Sequence, residues 1–91
     1  MKHIKIYQLK DISKYGFMSY SFAKRKGFTL NDYALVYECN RSDEDSKLDF
    51  LFFEFNQRRP KDFTGHSLSV SDLVEINGAI WYCDDICWQR I

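Results

Sequence analysis

The chain has 91 residues, 45% of them apolar and 18% aromatic, and its thirteen basic side chains balance thirteen acidic ones. That length supports one modest core and not two domains, and eight Phe, six Tyr and two Trp beside four Gly and one Pro exclude a disordered tail or a low-complexity linker. Zero net charge supplies no overall field to draw the chain to nucleic acid or an anionic membrane.

Residues 3–9 alternate well enough for a first strand, with Ile4 and Ile6 on one face. Asp11-Ile12-Ser13 reads as a turn, and Tyr15 to Tyr20 fits strand or helix equally. Ser21 is placed to cap a short helix, Phe22 to Lys26, that Gly27 ends. The run Lys24-Arg25-Lys26 suits the negative end of its dipole. Tyr33 to Cys39 reads as a strand with Tyr33, Leu35, Tyr37 and Cys39 on one face, followed by a polar loop from Asn40 to Lys47. Leu48 to Phe55 is apolar at both parities, which predicts a central strand covered on both sides, with a helix as the rival reading. If both rings are buried there, Phe52→Ala or Phe53→Ala costs about 3–5 kcal/mol.

Asn56 to Gly65 is a polar loop around Pro60, with Gly65 expected at an unusual φ. Ser69 and Asp72 have the spacing of a capping box, which predicts one helical turn before a strand at Val74-Glu75-Ile76. Asn77-Gly78 suits a type I′ hairpin turn, with Ala79 to Cys83 as the return strand. Asp84-Asp85 turns the chain again into a last strand, Ile86 to Ile91. The fold class is therefore α+β: one small domain over residues 1–91, an antiparallel sheet of four to five strands, and one main short helix. Its radius of gyration should be about 12 Å.

The alternating N-terminus does not read as a signal segment, and apolar runs such as Phe50-Leu51-Phe52-Phe53 fall far short of the roughly 20 residues that cross a bilayer. A cytoplasmic chain without membrane contact is expected. Cys39, Cys83 and Cys87 are odd in number and read as reduced thiols. Cys83 and Cys87 are spaced one residue too far for a thioredoxin-like pair, and with His66 they make an incomplete zinc set.

Charge is uneven. Residues 1–30 carry seven basic and one acidic residue, while residues 31–57 carry two basic and seven acidic, so two surface poles are expected. Arg58, Arg59 and Lys61 with Lys24, Arg25 and Lys26 would make six positive charges if the fold brought them to one face, with Tyr20, Phe22 and Phe63 as rings on which bases stack. The plain reading of either run alone is a solvated rim, and arginine beside aromatic residues is a common anchor combination of protein contacts.

His66 stands near Asp62, Asp72, Asp84 and Asp85 and near Ser67, Ser69 and Ser71. A serine–histidine–acid device needs a positioned nucleophile, base and orienting acid, and proximity in sequence supplies no such geometry. The simpler reading is that His66 and the serines hydrogen-bond loop backbone. The carboxylates of Asp43-Glu44-Asp45 and Asp84-Asp85 are adjacent rather than facing across a cleft, and no phosphate loop or dinucleotide fingerprint is present. No catalytic residue, cofactor or metal is predicted.

Several segments resemble the YodL-like domain family of small bacterial proteins and modules. They are Asp32 to Glu38 (DYALVYE), Phe55-Asn56, Pro60 to Glu75 (PKDFTGHSLSVSDLVE) and Trp81 to Asp84 (WYCD), with Phe17 to Tyr20 a fainter match. Gly65 to Asp72 is the most specific block, and Cys87-Trp88 stands where the family usually has glycine and phenylalanine. The resemblance implies a mobile-element setting, in phages, plasmids and integrative elements of Firmicutes. It carries no reaction or cofactor onto these positions. The expected function is a non-catalytic accessory factor that binds a host protein, in its narrowest form a defence nuclease, with Arg58, Arg59, Phe63 and Trp88 as contacts. The alternatives are a nucleic-acid-binding module using the basic residues and a small hydrolase around His66.

Overall fold

The computed structural model describes residues 1–91, with a Cα radius of gyration of 12.3 Å. Strand β1 (Lys2–Leu9) is followed by helix α1 (Tyr20–Arg25), β2 (Tyr33–Arg41), helix α2 (Leu48–Gln57), β3 (Leu73–Ile76), β4 (Ala79–Cys83) and β5 (Trp88–Arg90). The five strands form one antiparallel sheet in the order β2-β1-β3-β4-β5, so the first strand of the chain has partners on both sides.

Alternation along β1 and β3 divides the interior into two cores on opposite faces of the sheet. Ile4, Ile6 and Val74 pack under Leu51 and Phe55 of α2, joined by Phe63 and Leu68 from the connection after it. Leu9, Leu73 and Tyr82 face the other way, where Tyr15, Ala23 and Tyr33 complete a second core. Phe28 is its hub, with ring centres 5.6–6.0 Å from Tyr15, Tyr20, Tyr33 and Tyr82. The buried phenols have polar partners: Tyr33 donates to the Ser71 carbonyl at 2.6 Å and Tyr82 to that of Met18 at 2.7 Å.

The predicted hairpin is present. Asn77 and Gly78 have φ of +48° and +88°, as a type I′ turn requires, and β3 and β4 pair from Ile76–Ala79 outward. The α+β class, the antiparallel sheet of five strands and the strands read at either end of the chain are those expected from the sequence.

The segment Leu48 to Phe55 is not a central strand but the main helix of the fold. Leu48, Leu51 and Phe55 recur at helical spacing and cover the sheet, leaving Phe52 and Phe53 38% and 49% exposed. Arg41 of β2 binds the Glu54 carboxylate through both guanidinium nitrogens and lies over the Phe55 ring, pinning α2 to the edge strand.

Smaller corrections have local causes. Helix α1 starts at Tyr20 and is capped by Ser19, whose hydroxyl accepts from the Phe22 N–H at 3.3 Å, because that phase buries Ala23. A register shift between Ile6 and Tyr7 opposite Val36 puts Tyr37 and Cys39 on the α2 face, whereas Tyr33 belongs to the second core. The four residues expected on one face of β2 are therefore split. Ser69 to Asp72 forms a tight turn rather than a helical one, with Ser71 at φ +88°. The charge poles are interleaved as well: Lys5 pairs in register with Glu38, and Lys14 Nζ lies 2.9 Å from Asp32.

Candidate functional site

Two places combine polar chemistry with tertiary contacts. The first is built around Gln8, the last residue of β1 on the α2 side of the sheet, whose carboxamide is buried under the connection from α2 to β3. Gln8 Nε2 donates to the His66 carbonyl at 2.9 Å and to Asp72 Oδ2 at 3.0 Å, while Oε1 accepts from the His66 N–H at 3.2 Å. Asp72 Oδ2 also accepts from the Ser69 N–H at 2.8 Å. Asp72 is 1% exposed, and burial pushes its carboxyl up to about 7 against the opposing pull of these donors.

Gly65 is needed here for proximity rather than for a positive φ: a Cβ at this position would sit 2.3 Å from Gln8 Oε1. The block from Gly65 to Asp72 is therefore a wrap around one buried carboxamide.

The same geometry leaves His66 without a nucleophile. Both hydrogens of Gln8 Nε2 are used elsewhere, so His66 Nδ1 donates to the Ser67 carbonyl at 2.8 Å. Its Nε2 is 3.9 Å from Asp72 Oδ1, beyond a hydrogen bond. Ser69 Oγ donates to the Ser67 carbonyl, and Ser71 Oγ accepts from the Phe17 N–H. Loop-backbone bonding accounts for His66, Ser69 and Ser71. No three His, Cys, Asp or Glu side chains converge on a common point. Cys83 is buried, which pushes its thiol up to about 12, while Cys87 is exposed.

The second place is a surface. Helix α2 turns Asp49, Phe52 and Phe53 outward, three and four residues apart. Trp88 of β5 meets Phe52 edge to face at 6.3 Å, and the Arg58 guanidinium lies 5.5 Å from the centre of the Phe53 ring. Beyond Trp88 the turn between β4 and β5 carries Asp84, Asp85 and Ile86, whose side chain is 92% exposed. A groove of about 470 Å³ runs between this turn and α2.

Of the four predicted contacts, Arg58 lies against the exposed Phe53, and Trp88, half-buried against the first core, lies against Phe52. Arg59 turns away, its Nη1 3.4 Å from the Gly65 carbonyl. Phe63 is 9% exposed, stacked edge-on against Phe55 and Tyr37, and is a core residue rather than a contact. The two basic runs do not pool either. Lys24 to Lys26 adjoin α1 over the second core, whereas Arg58 to Lys61 follow α2 over the first. Sequence reasoning missed Gln8, Phe52, Phe53 and Ile86. The spacing of Leu48, Leu51 and Phe55 carried the signal for the two phenylalanines.

The sequence matches the YodL-like domain over residues 3–91. The chain belongs to the YodL-like domain family. No curated protein and no solved structure was found to match it. YodL-like domains are not a known enzyme family. Cys87 is not among the residues at positive φ, so its backbone requires no glycine. No helix is long and apolar enough to cross a membrane.

Proposed function

We propose that this YodL-like domain is a non-catalytic binding module that attaches to another protein through the strip formed by α2 and the β4–β5 turn. The observation that carries this reading is the exposure of three large apolar side chains, Phe52 and Ile86 beside the half-buried Trp88 and Phe53 next to Phe52 on α2. Both cores are complete without the outer faces of these side chains, so their exposure costs solubility with no return in folding. Aromatic and aliphatic anchors of this kind supply most of the affinity in protein interfaces. In the mobile-element setting of the family, the partner is a host protein, in the narrowest form a component of a defence nuclease, met in the cytoplasm.

The test is affinity capture from a Firmicutes lysate with the wild-type domain and with Phe53→Asp and Ile86→Asp variants. The expected result is a stoichiometric protein that survives nuclease treatment and is lost with either variant. Capture that disappears on nuclease treatment would favour nucleic-acid binding by the basic runs. Capture unaffected by either substitution would remove the strip from the interface.

A further inference from the structure

We infer that the groove beside Trp88 receives a basic, partly apolar segment of the partner protein, in which arginine or lysine side chains flank an aliphatic anchor. The inference rests on the binding-module reading above and names the chemistry of what is bound. The groove has an apolar floor, Phe52 and Trp88, and Ile86 projecting at its lip. Its rim is Asp49, Asp84 and Asp85, and no basic side chain lines it. None of these three carboxylates has a lysine or arginine within salt-bridge distance, whereas Asp32, Glu44 and Glu54 each lie within 4 Å of one. Asp84 is held in place: its Oδ1 accepts from the Tyr20 N–H at 3.1 Å and the Asp85 N–H at 2.8 Å.

An apolar cleft with three uncompensated negative charges at its mouth discriminates by sign. An acidic segment meets repulsion from all three, a purely apolar one leaves them facing a desolvated rim, and a basic one neutralises them while its aliphatic portions cover the rings. Indole and phenyl faces add a favourable site for a guanidinium. The volume, about 470 Å³, falls in the range of roughly 300–1,000 Å³ typical of ligand clefts, enough for a few side chains.

The probe is a fluorescein-labelled decapeptide of alternating arginine and leucine, compared by anisotropy with the same peptide carrying glutamate in place of arginine. The arginine peptide should bind and the glutamate peptide should not. Neutralising the rim (Asp49→Asn, Asp84→Asn and Asp85→Asn together) should weaken binding about tenfold. The equally neutralising Asp43→Asn, Glu44→Gln and Asp45→Asn variant, on the exposed turn before α2, should change it little. Asp84→Asn retains the acceptor that Tyr20 uses. In a Trp81→Phe background the arginine peptide should also shield Trp88 from acrylamide quenching. Equal weakening by both triple variants, equal binding of both peptides, or an unshielded Trp88 would overturn the inference. Self-association abolished by Ile86→Asp in sedimentation would also overturn it, because the occupant would then be a second copy. These outcomes leave the binding-module reading standing if host-protein capture still depends on Phe53 and Ile86. Loss of that dependence with peptide binding intact would refute the host-partner reading alone.

Discussion

Replacing Gln8 with leucine keeps the volume of the side chain and removes the carboxamide around which the Gly65–Asp72 segment is wrapped. Three hydrogen bonds are lost: one to the His66 N–H, one to its carbonyl and one to Asp72 Oδ2. Two neutral bonds contribute about 1 kcal/mol each and the bond to an ionised carboxylate about 1.5–3 kcal/mol, so the cost at pH 8 should be about 3–5 kcal/mol. At pH 5 the Asp72 carboxyl, pushed up to about 7 in the folded state, is protonated and needs its donor less. The cost should then shrink by about 1 kcal/mol. Urea denaturation followed by tryptophan fluorescence at both pH values measures each figure, since the midpoint shifts while the slope stays constant. A loss below 1 kcal/mol at pH 8 would show that the carboxamide does not hold the connection. An equal loss at both pH values would show that Asp72 is not its charged partner.

Wild-type stability should itself fall as pH rises. Asp72 has a folded pKa of about 7, above the unfolded value of about 3.9, so its contribution is full below about pH 4 and is lost through pH 7. Denaturation midpoints should decline across that window, and a slope unchanged in Asp72→Asn would assign the effect to another group. Phe55→Ala, which opens a fully buried site, should cost about 3–5 kcal/mol, whereas Phe53→Ala should stay within about 0.5 kcal/mol; similar losses would mean that the helix presents the wrong face. Gly65→Ala should cost about 2–4 kcal/mol by displacing Gln8, and at most half that in a Gln8→Ala background; additive costs would place the clash elsewhere. Gly78→Val, at φ +88°, should cost about 1–3 kcal/mol, and wild-type stability would reject the type I′ turn.

The parts of the fold legible in the sequence were those with strict alternation or special turn chemistry. β1, β4 and the Asn77-Gly78 turn are read directly, because one-face burial and positive φ leave a mark on every second residue or on a dipeptide. Helix α2 was not, because six of its ten residues are apolar or aromatic and the run fits either period. What decides is tertiary: the sheet is completed by β3 to β5, and the segment is left to cover it. The split along β2 was hidden for a similar reason, since a register shift opposite Val36 has no signature in composition. At the candidate site, Trp88 and Arg58 were visible as isolated anchors, but the groove is assembled from α2 and a turn more than 25 residues away, a juxtaposition only the fold makes. Gln8 was invisible because a lone glutamine in a strand reads as polar edge, not as a buried staple.

The placement of β1 constrains how the molecule is made. It precedes the other four strands in the chain, yet Ile4 registers with Ile76, so one of its edges is closed only once β3 has been made. Until then a nascent chain holds β1, β2 and α2 with an unsealed row of backbone donors and acceptors, a template for pairing with a neighbouring nascent chain. Lys2 and Lys5 on that strand carry charge that keeps two such edges apart. Folding is thereby tied to long-range closure, and its rate should fall with the slow class of small proteins rather than the helical one. Neutralising these two lysines should then lower the yield of refolding at high concentration more than it changes the stability of the finished domain.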